Sequence, residues 1–229
     1  MFVKILMVPI HRDGWPFIAI FVVATILLGS WSYPLGFIGT VLTVWCICFF
    51  RNPPRTTPTR PDLLVSAADG VIQSIESAPP PAELHMGEEP RTRIAVFMNV
   101  FNVHVNRIPC EGIVSALAYR HGRFIDASLD KASEHNERQS LRLDIGNGRD
   151  LAVVQIAGLI ARRIRCDAVK GQHFHAGAYF GLIRFGSRVD IYLPLGANPL
   201  VAVGQKAVAG ETVFADLASD EPPRAAKVQ

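Results

Sequence analysis

Cysteine and concentrated charge are both scarce in this 229-residue chain. Cys46 and Cys48 lie inside an apolar run, and Cys110 and Cys166 are isolated. No cysteines have metal-site spacing and nothing indicates a disulfide framework, so a reducing compartment is favoured. The net charge of +3 is modest. The concentrated basic stripe that is typical of nucleic-acid-binding proteins is missing, and we expect no nucleic-acid partner.

Two further signatures are missing. No internal repeat is long enough to indicate a solenoid. No Gly-x-Ser-x-Gly motif is present, which argues against a Ser-His-Asp hydrolase built on a nucleophile elbow. What the chain does have is 49% hydrophobic content. That is enough for one globular domain of ordinary size plus an apolar appendage.

The appendage consists of two apolar runs, 17–28 and 35–50, joined by a turn-like segment at 29–34. At about 1.5 Å per residue the second run covers roughly 24 Å, short of the ~30 Å hydrocarbon core of a bilayer. The pair is therefore either two tight spans or a hairpin that dips into one leaflet, with a buried helical pair in a soluble core as the alternative. The positive-inside rule places the flanking segments and the following domain on the cytoplasmic side of the cell membrane. The flanking basic residues are Lys4, Arg12, Arg51, Arg55 and Arg60.

The pattern divides the chain into four parts. We predict a membrane-anchoring helical hairpin over 1–51 and a proline-rich linker over 52–61, since proline removes donors and fixes φ. A mainly β domain follows over 62–217, and a polar, flexible tail over 218–229. The β prediction rests on short apolar or alternating stretches separated by turn signals. These stretches are 93–98, 103–105, 112–118, 141–145, 151–156, 181–185 and 189–193.

Several turns and loops refine this fold class. Gly-Asn-Gly at 146–148 predicts a hairpin turn. The segment 201–214 has two glycines six residues apart between short strands, and it resembles the flattened sandwich of biotinyl and lipoyl carrier domains, with 68–72 supplying the matching strand. We therefore expect a compact β-sandwich or barrel-like domain with a carrier-like hybrid sandwich element. The polar segment 123–137 predicts a long loop with one helical turn.

The dipeptide Gly186-Ser187 is the first candidate for chemistry. A glycine before a serine lets other groups approach the peptide bond closely. The serine hydroxyl can attack the carbonyl of residue 186 and turn the amide into an ester. Elimination then cleaves the chain and leaves dehydroalanine, which hydrolyses to a pyruvoyl group. The alternative is a turn serine in a hairpin, because this dipeptide is common.

Two residues could activate such a serine. His104 is expected to share a strand face with Asn102 and Asn106. A neutral imidazole there can take a proton from a hydroxyl. The carboxylate of Asp69 could orient and stabilise that imidazole, as in a serine triad. The alternatives are a hydrogen-bonded structural histidine and an aspartate in a turn.

Together these segments resemble the short, type A, pyruvoyl-dependent phosphatidylserine decarboxylases. The resemblance extends from about residue 61 to residue 217, and the two apolar runs match the membrane anchor of that family. It is carried by Asp69-Gly70, Asn102-Val103-His104-Val105-Asn106-Arg107 and Arg184-Phe185-Gly186-Ser187-Arg188-Val189-Asp190, with further similarity at 131–133, 136–138, 154–158 and 161–163.

The resemblance implies a proenzyme that cleaves itself between Gly186 and Ser187. The β chain, 1–186, and the α chain, 187–229, would stay together as a heterodimer, and a homo-oligomer is also compatible. Asp69, His104 and Ser187 would form the maturation triad. The pyruvoyl group derived from Ser187 would form a Schiff base with phosphatidylserine in the membrane and take up the electrons released with CO2, giving phosphatidylethanolamine. His104 is the candidate that returns a proton to the product.

One position departs from the long-type members of the family, which carry a second histidine where this chain has Arg107. Either His104 serves both steps, or Arg107 takes another part, such as binding the substrate carboxylate or phosphate. A surface ion pair is the alternative. Asn102 replaces an acid found in some members, and we retain it as a second substrate-binding candidate.

Other interpretations remain open at this point. His173 and His175 share a strand face, but no cysteine or carboxylate partner is apparent nearby, and we predict no metal site. The substrate could be a related serine phospholipid such as archaetidylserine. The chain could also be a non-enzymatic, carrier-like binding module on a membrane hairpin.

Overall fold

A computed structural model describes residues 8–122, 124, 135–158, 163–184 and 187–227. The chain divides into two compact units. The first comprises Met1–Pro54 with Val100–His104, and the second comprises Arg55–Asn99 with Val105–Gln229. The predicted fold class, a mainly β protein with an N-terminal helical pair, is confirmed.

The first unit contains two antiparallel helices, α1 (Trp15–Trp31) and α2 (Tyr33–Phe49), after a single 3-10 turn at Arg12–Gly14. A proline lies in the first turn of each helix, where its missing N–H costs no hydrogen bond. The prediction of a six-residue turn at 29–34 is wrong. Only Ser32 lies outside the helices, in an extended conformation.

Small residues explain how a single residue can close this hairpin. A Cβ atom added to Gly36 would lie 2.7 Å from the Cα of Gly29, and one added to Gly39 would lie 2.7 Å from Oγ1 of Thr25. Thr25 and Thr43 share a hydrogen bond of 3.0 Å across the same seam. Close backbone approach and a hydroxyl contact are the usual means of helix association where the surroundings are apolar.

The outward faces of the helices are strongly apolar. Exposed side chains of this kind are Trp15, Ile20, Val23, Ile26, Leu27, Trp31, Tyr33, Phe37, Ile38 and Val41. Among the described helices, the stretch Arg12–Trp31 is long and apolar enough to cross a membrane, whereas Tyr33–Phe49 is shorter. An apolar surface of this extent indicates a lipid or protein contact rather than water.

The second unit is built from thirteen described strands. They are β1 (Leu63–Val65), β2 (Gly70–Ala78), β3 (Arg91–Met98), β4 (Val105–Arg107), β5 (Gly112–Arg120), β6 (Arg138–Asp144), β7 (Asp150–Ala157), β8 (Ile164–Cys166), β9 (His173–Phe174), β10 (Tyr179–Ile183), β11 (Ser187–Tyr192), β12 (Lys206–Ala207) and β13 (Val213–Asp216). Eight strands form one antiparallel sheet in the order β12-β2-β3-β11-β7-β6-β5-β9. Two smaller sheets, β1-β13 and β4-β10-β8, complete the unit.

The main core lies on one face of the eight-stranded sheet. Val189 and Ile191 of β11 share this cluster with Phe180 of β10 and Phe214 of β13, so the small sheets cover the large one. A second, smaller cluster around Tyr192 covers the opposite face. The alternation of β11 between the two clusters follows from the two-residue repeat of a strand. A sandwich-like architecture results.

Most sequence-based strand predictions are confirmed, with one exception. The stretch 103–105 was predicted as a strand, but β4 begins only at Val105. The Gly-Asn-Gly turn is confirmed, because residues 146–148 all have positive φ and connect β6 to β7. The carrier-like pairing is confirmed as well, since Lys206 of β12 lies opposite Val71 of β2. Most of the predicted loop at 123–137 lies outside the described residues.

The seam between the helices can be tested with Gly39→Leu. The added side chain collides with Thr25, and overpacking of this kind costs about 1–3 kcal/mol. The three tryptophans, Trp15, Trp31 and Trp45, all belong to the helical unit, so tryptophan emission during guanidinium unfolding in detergent reports on this unit alone. The unfolding midpoint should fall for Gly39→Leu.

Val41→Leu is the matched control, because Val41 is exposed on the same helix and tolerates a larger side chain. Equal midpoints for the two variants would contradict the close packing of the seam.

Candidate active site

Ser187 is the first residue of β11, in the interior of the eight-stranded sheet. It lies opposite Met98 of β3 on one side and Ala157 of β7 on the other, and it is fully buried. A strand with neighbours on both sides has little freedom to move. Gly186, the other residue of the predicted cleavage site, lies outside the described residues.

The hydroxyl of Ser187 is a buried polar atom without a hydrogen-bond partner in the part of the chain that the structure describes. The same holds for Oε1 of Gln155. A buried polar group without a partner costs about 1–3 kcal/mol, and native proteins keep few of them. An uncommitted hydroxyl of this kind is available as a nucleophile.

A buried pair of amides lies on the same face of the sheet as Ser187, where Gln155 is the cross-strand neighbour of Val189. Nε2 of Gln155 donates to Oδ1 of Asn106 at 2.8 Å, and Nδ2 of Asn106 donates to Sδ of Met98 at 3.7 Å. Met98 is the direct cross-strand neighbour of Ser187. The core is therefore polar at this point, although it is apolar elsewhere. Sequence analysis missed Gln155, whose signal is a single amide within the apolar strand β7.

On the opposite face of β11, Arg188 and Asp190 form a fully buried ion pair. Nε and Nη2 of Arg188 donate to the two carboxylate oxygens of Asp190 at 2.6 and 2.7 Å. Nε of Arg93 lies 4.0 Å from the same carboxylate. Two-point geometry is what makes a buried pair of charges tolerable. The residue that follows Ser187 is thus fixed in position.

His104 is not on a strand, so the prediction that it shares a strand face with Asn102 and Asn106 is wrong. It lies in the turn before β4, and its ring forms a hydrogen bond with the neighbouring backbone. Nδ1 of His104 lies 3.1 Å from the carbonyl oxygen of Asn102. Because a carbonyl oxygen can only accept, Nδ1 carries the hydrogen and Nε2 carries the lone pair of the neutral ring.

The end of α2 holds the segment that carries His104. The ring of Phe49 stacks on the His104 ring with centroids 4.1 Å apart. Nε1 of Trp45 donates to the carbonyl of Val100 at 3.2 Å, and Nη2 of Arg51 donates to that of Phe101 at 2.9 Å. The helical unit therefore includes the predicted catalytic histidine.

Burial controls the protonation of His104. It lowers the pKa of His104 to about 4, against the opposing effect of the Asn102 carbonyl, and the charge of Arg51 lowers the pKa further. The imidazole is consequently neutral at neutral pH. A neutral, hydrogen-bonded imidazole is the form that can accept a proton from a hydroxyl.

Asp69 is held by two donors within the β unit. Nη2 of Arg55 lies 2.6 Å from Oδ2 of Asp69, and the backbone N–H of Ala209 donates to Oδ1 at 2.7 Å. Both charged side chains are largely buried. Sequence analysis missed this role of Arg55, which it assigned only to the basic flank of the membrane anchor. The expected action of Asp69 on His104 stays a prediction.

Arg107 belongs to the same charged group as Asp69. Its Nη1 donates to the carbonyl of Gly177 at 2.8 Å. Burial and the neighbouring charge of Arg55 lower the pKa of Arg107, whereas Asp69 and Glu211 oppose this shift. Substrate binding by Arg107 and Asn102 stays a prediction. Asn102 is half-buried, and its carbonyl oxygen contacts His104.

The sequence showed no carboxylate partner for His173 and His175, and the structure corrects this. The pairing of β5 with β9 brings Glu111 beside both histidines. Strand pairing between distant segments is not visible in the sequence pattern, which explains the omission.

Known proteins resemble this chain over nearly its whole length. The family model for phosphatidylserine decarboxylase matches residues 42–215. A phosphatidylserine decarboxylase proenzyme from Paramagnetospirillum magneticum is 55% identical over 226 residues, which cover 99% of this chain and 94% of that protein. Proenzymes of the same name from Cereibacter sphaeroides and Rhodospirillum rubrum are 58% and 57% identical over 216 residues each, covering 94% of this chain and 93% and 92% of theirs.

The match includes both the helical pair and the β unit, and the family model spans the segments that carry Asp69, His104 and Ser187. Because the identity extends over nearly the whole length of both proteins, the resemblance is not confined to a few local motifs. The chain belongs to the phosphatidylserine decarboxylase family.

Proposed function

We propose that this chain is a self-processing phosphatidylserine decarboxylase, which cleaves itself before Ser187 and converts phosphatidylserine to phosphatidylethanolamine and CO2. The observation that carries the proposal is the buried hydroxyl of Ser187, which has no hydrogen-bond partner among the described residues. It stands at the start of an interior strand in a chain of this family.

Self-processing begins with the transfer of a proton. Nε2 of His104 accepts the hydroxyl proton of Ser187, and Oγ attacks the carbonyl carbon of Gly186. A carbon–oxygen bond forms, the peptide carbon–nitrogen bond breaks, and the proton passes to the nitrogen of Ser187. The product is an ester. Asp69 is proposed to keep the imidazole oriented.

Elimination completes the cleavage. Loss of the α-proton of Ser187 forms a carbon–carbon double bond while the bond between Cβ and Oγ breaks. Oγ leaves as part of the new carboxylate of Gly186. The remaining dehydroalanine takes up water, releases ammonia and becomes the ketone at the start of the α chain. No external oxidant or reductant is needed.

The surroundings of Ser187 fit a pyruvoyl group. The serine is enclosed, its hydroxyl has no other commitment in the described structure, and the amides of Gln155 and Asn106 lie in the same part of the core. When present, the group supplies a carbonyl that binds the substrate amine and withdraws the electrons released with CO2. Arg107 and Asn102 are proposed to bind the headgroup, and His104 is proposed to deliver the proton to the product.

The β unit can keep the two chains together after cleavage. All six residues of β11 pair with β3, and all six pair with β7. Both neighbouring strands would belong to the β chain, residues 1–186. The buried ion pair of Arg188 and Asp190 would hold the new N-terminal strand immediately after residue 187. The α chain, residues 187–229, therefore remains bound to the β chain, and the two form a heterodimer.

The helical pair suits a lipid substrate. Its exposed apolar side chains would be costly in water and stable in a bilayer. We infer a membrane hairpin over 1–51, a linker over 52–61, a decarboxylase domain over 62–217 and a tail over 218–229. The catalytic domain is proposed to face the cytoplasm, where the basic flanks of the hairpin favour it.

Ser187→Ala tests the cleavage directly. The variant lacks the attacking oxygen, so one uncleaved and inactive chain is expected, while the wild type gives a fragment of residues 187–229 with a blocked N-terminus. Denaturing mass spectrometry distinguishes the two outcomes. Ser219→Ala is the control, because Ser219 is exposed in the C-terminal tail and should not affect cleavage. Cleavage at the same bond in Ser187→Ala would refute the mechanism.

The pH dependence of cleavage tests the role of His104. Because the folded-state pKa lies at about 4, the imidazole remains neutral from alkaline pH down to about pH 5. The cleavage rate limited by this base should be flat over that range and fall only as the pH drops through about 4. Rapid-quench sampling of freshly refolded proenzyme gives the rates. A midpoint near 6.5, the ordinary histidine value, would contradict the buried, neutral base.

The same shift predicts the stability of the uncleaved Ser187→Ala chain. Unfolded His104 binds a proton below about pH 6.5. The folded residue does so only below about pH 4. The contribution of this residue to the free energy of unfolding therefore decreases as pH falls through that window.

Arg188→Met tests the ion pair behind the serine. The Asp190 carboxylate would stay buried without its main partner, and such a loss costs about 3–5 kcal/mol. Guanidinium unfolding followed by far-UV circular dichroism, in the Ser187→Ala background so that all chains are intact, measures the effect. The matched double variant, Arg188→Met with Asp190→Leu, should regain most of the stability. A double variant as unstable as Arg188→Met would show that the charge pair is not the cause.

A further inference from the structure

His173 and His175 lie on one face of the β5-β9 pair, with a carboxylate across from them. Phe174 between them is buried in the main core, so strand alternation directs both histidines outward. Glu111 comes just before β5, where Gly112 lies opposite Phe174. The side chains of all three polar residues are exposed and converge above the strand pair.

Their ligand atoms are spaced for a metal ion. Nε2 of His173 lies 3.2 Å from Oε1 of Glu111, and Nδ1 of His175 lies 3.7 Å from the same oxygen. All three ligand atoms are within 4.8 Å of one another. Bonds of about 2.1 Å in a tetrahedral zinc site separate the ligand atoms by roughly 3.4 Å. Two of the three separations therefore already match, and small side-chain rotations close the third.

The backbone beneath these residues is held on both sides. Val114 exchanges hydrogen bonds of 2.8 and 2.9 Å with residues 171–172, just before the first histidine. Ile108 exchanges two hydrogen bonds of 2.8 Å with residues 177–178, just after the second. A site carried on fixed strands needs little reorganisation when an ion binds.

We propose that Glu111, His173 and His175 bind one divalent transition-metal ion of the zinc class. Two imidazoles and one carboxylate suit Zn²⁺, Co²⁺ or Ni²⁺ better than Ca²⁺ or Mg²⁺, which prefer oxygen ligands alone. Three protein ligands leave at least one coordination position for water or an anion.

Two clefts border the three proposed ligands. A cleft of about 310 Å³ borders Glu111 and His175, and another of about 400 Å³ borders Glu111 and His173. None of the three ligands belongs to the site of Ser187. The ion would join β5 to β9 at the edge of the eight-stranded sheet, where β9 has no further described neighbour. Its exposure makes it an exchangeable site.

The test uses the full-length, cleaved protein in detergent, with ZnCl2 as the titrant. Calorimetry should detect one Zn²⁺ per chain, and binding should weaken at acid pH because protons compete for the ligands. Glu111→Gln and His175→Ala should each lower the affinity at least tenfold. Co²⁺ should give the visible absorption of a four-coordinate site in the wild type and lose it in both variants.

His85→Asn is the matched control. His85 is an exposed histidine elsewhere on the β unit, and its left-handed backbone, with φ of 52°, also accommodates asparagine. This variant should bind Zn²⁺ as the wild type does. The proposal is overturned if the wild type binds no Zn²⁺, or if His173→Ala with His175→Ala binds it as tightly as the wild type does.

Discussion

The pairing of β11 with β3 on one side and β7 on the other is the constraint on which the candidate site depends. It places Ser187 at the beginning of a strand that is buried along its entire length. The hydrogen bonds of this strand run to other strands and not along the chain, so the proposed cleavage before Ser187 would leave those of residues 188–192 in place. Cleavage next to an interior strand would otherwise risk unfolding the sheet. With the proposed cleavage, the new N-terminus would stay between β3 and β7.

The helical unit also positions the segment that contains His104. The end of α2 holds the 100–104 segment through Trp45, Phe49 and Arg51, and Phe49 stacks directly on His104. These contacts keep His104 buried and neutral. They also make it a weak base, because a pKa of about 4 lies far below that of a serine hydroxyl. In the proposed role of His104 as the base of self-processing, a slow proton transfer is acceptable, since the step occurs once in the life of each chain.

The sequence predicted the elements better than it predicted their contacts. Strand alternation identified β3, β5, β6 and β7, and the apolar runs identified the helical pair, because burial imposes a period on the chain. Ser187 and His104 are predicted as site residues because their chemistry and flanking residues resemble one family. The error at His104 has a physical cause. Alternating residues at 102–106 have the period of a strand, but the bond from Nδ1 to the Asn102 carbonyl and the stacking on Phe49 favour a turn there.

What the sequence could not supply are partners that strand pairing or folding brings from far along the chain. Arg55 reaches Asp69, Gln155 reaches Asn106, and Glu111 reaches the two histidines at 173 and 175. None of these pairs lies at a spacing that helix or strand periodicity would mark. Of these, Gln155 was the easiest to predict from the sequence, because an amide in an apolar strand must find a buried partner or carry a free-energy cost.

Ser187 Oγ and Gln155 Oε1, two buried atoms without hydrogen-bond partners in the described part of the chain, differ in what the proposed reaction does to them. A hydrogen bond donated to Oγ by a fixed N–H or O–H would lower the nucleophilicity of the oxygen and raise the barrier to attack. Leaving it without one costs about 1–3 kcal/mol of stability before cleavage. Elimination then removes Oγ from the strand altogether, because the oxygen leaves with the carboxylate of Gly186. Under the proposed reaction the cost would therefore be confined to the proenzyme, and the cleaved protein would no longer contain the atom that carries it.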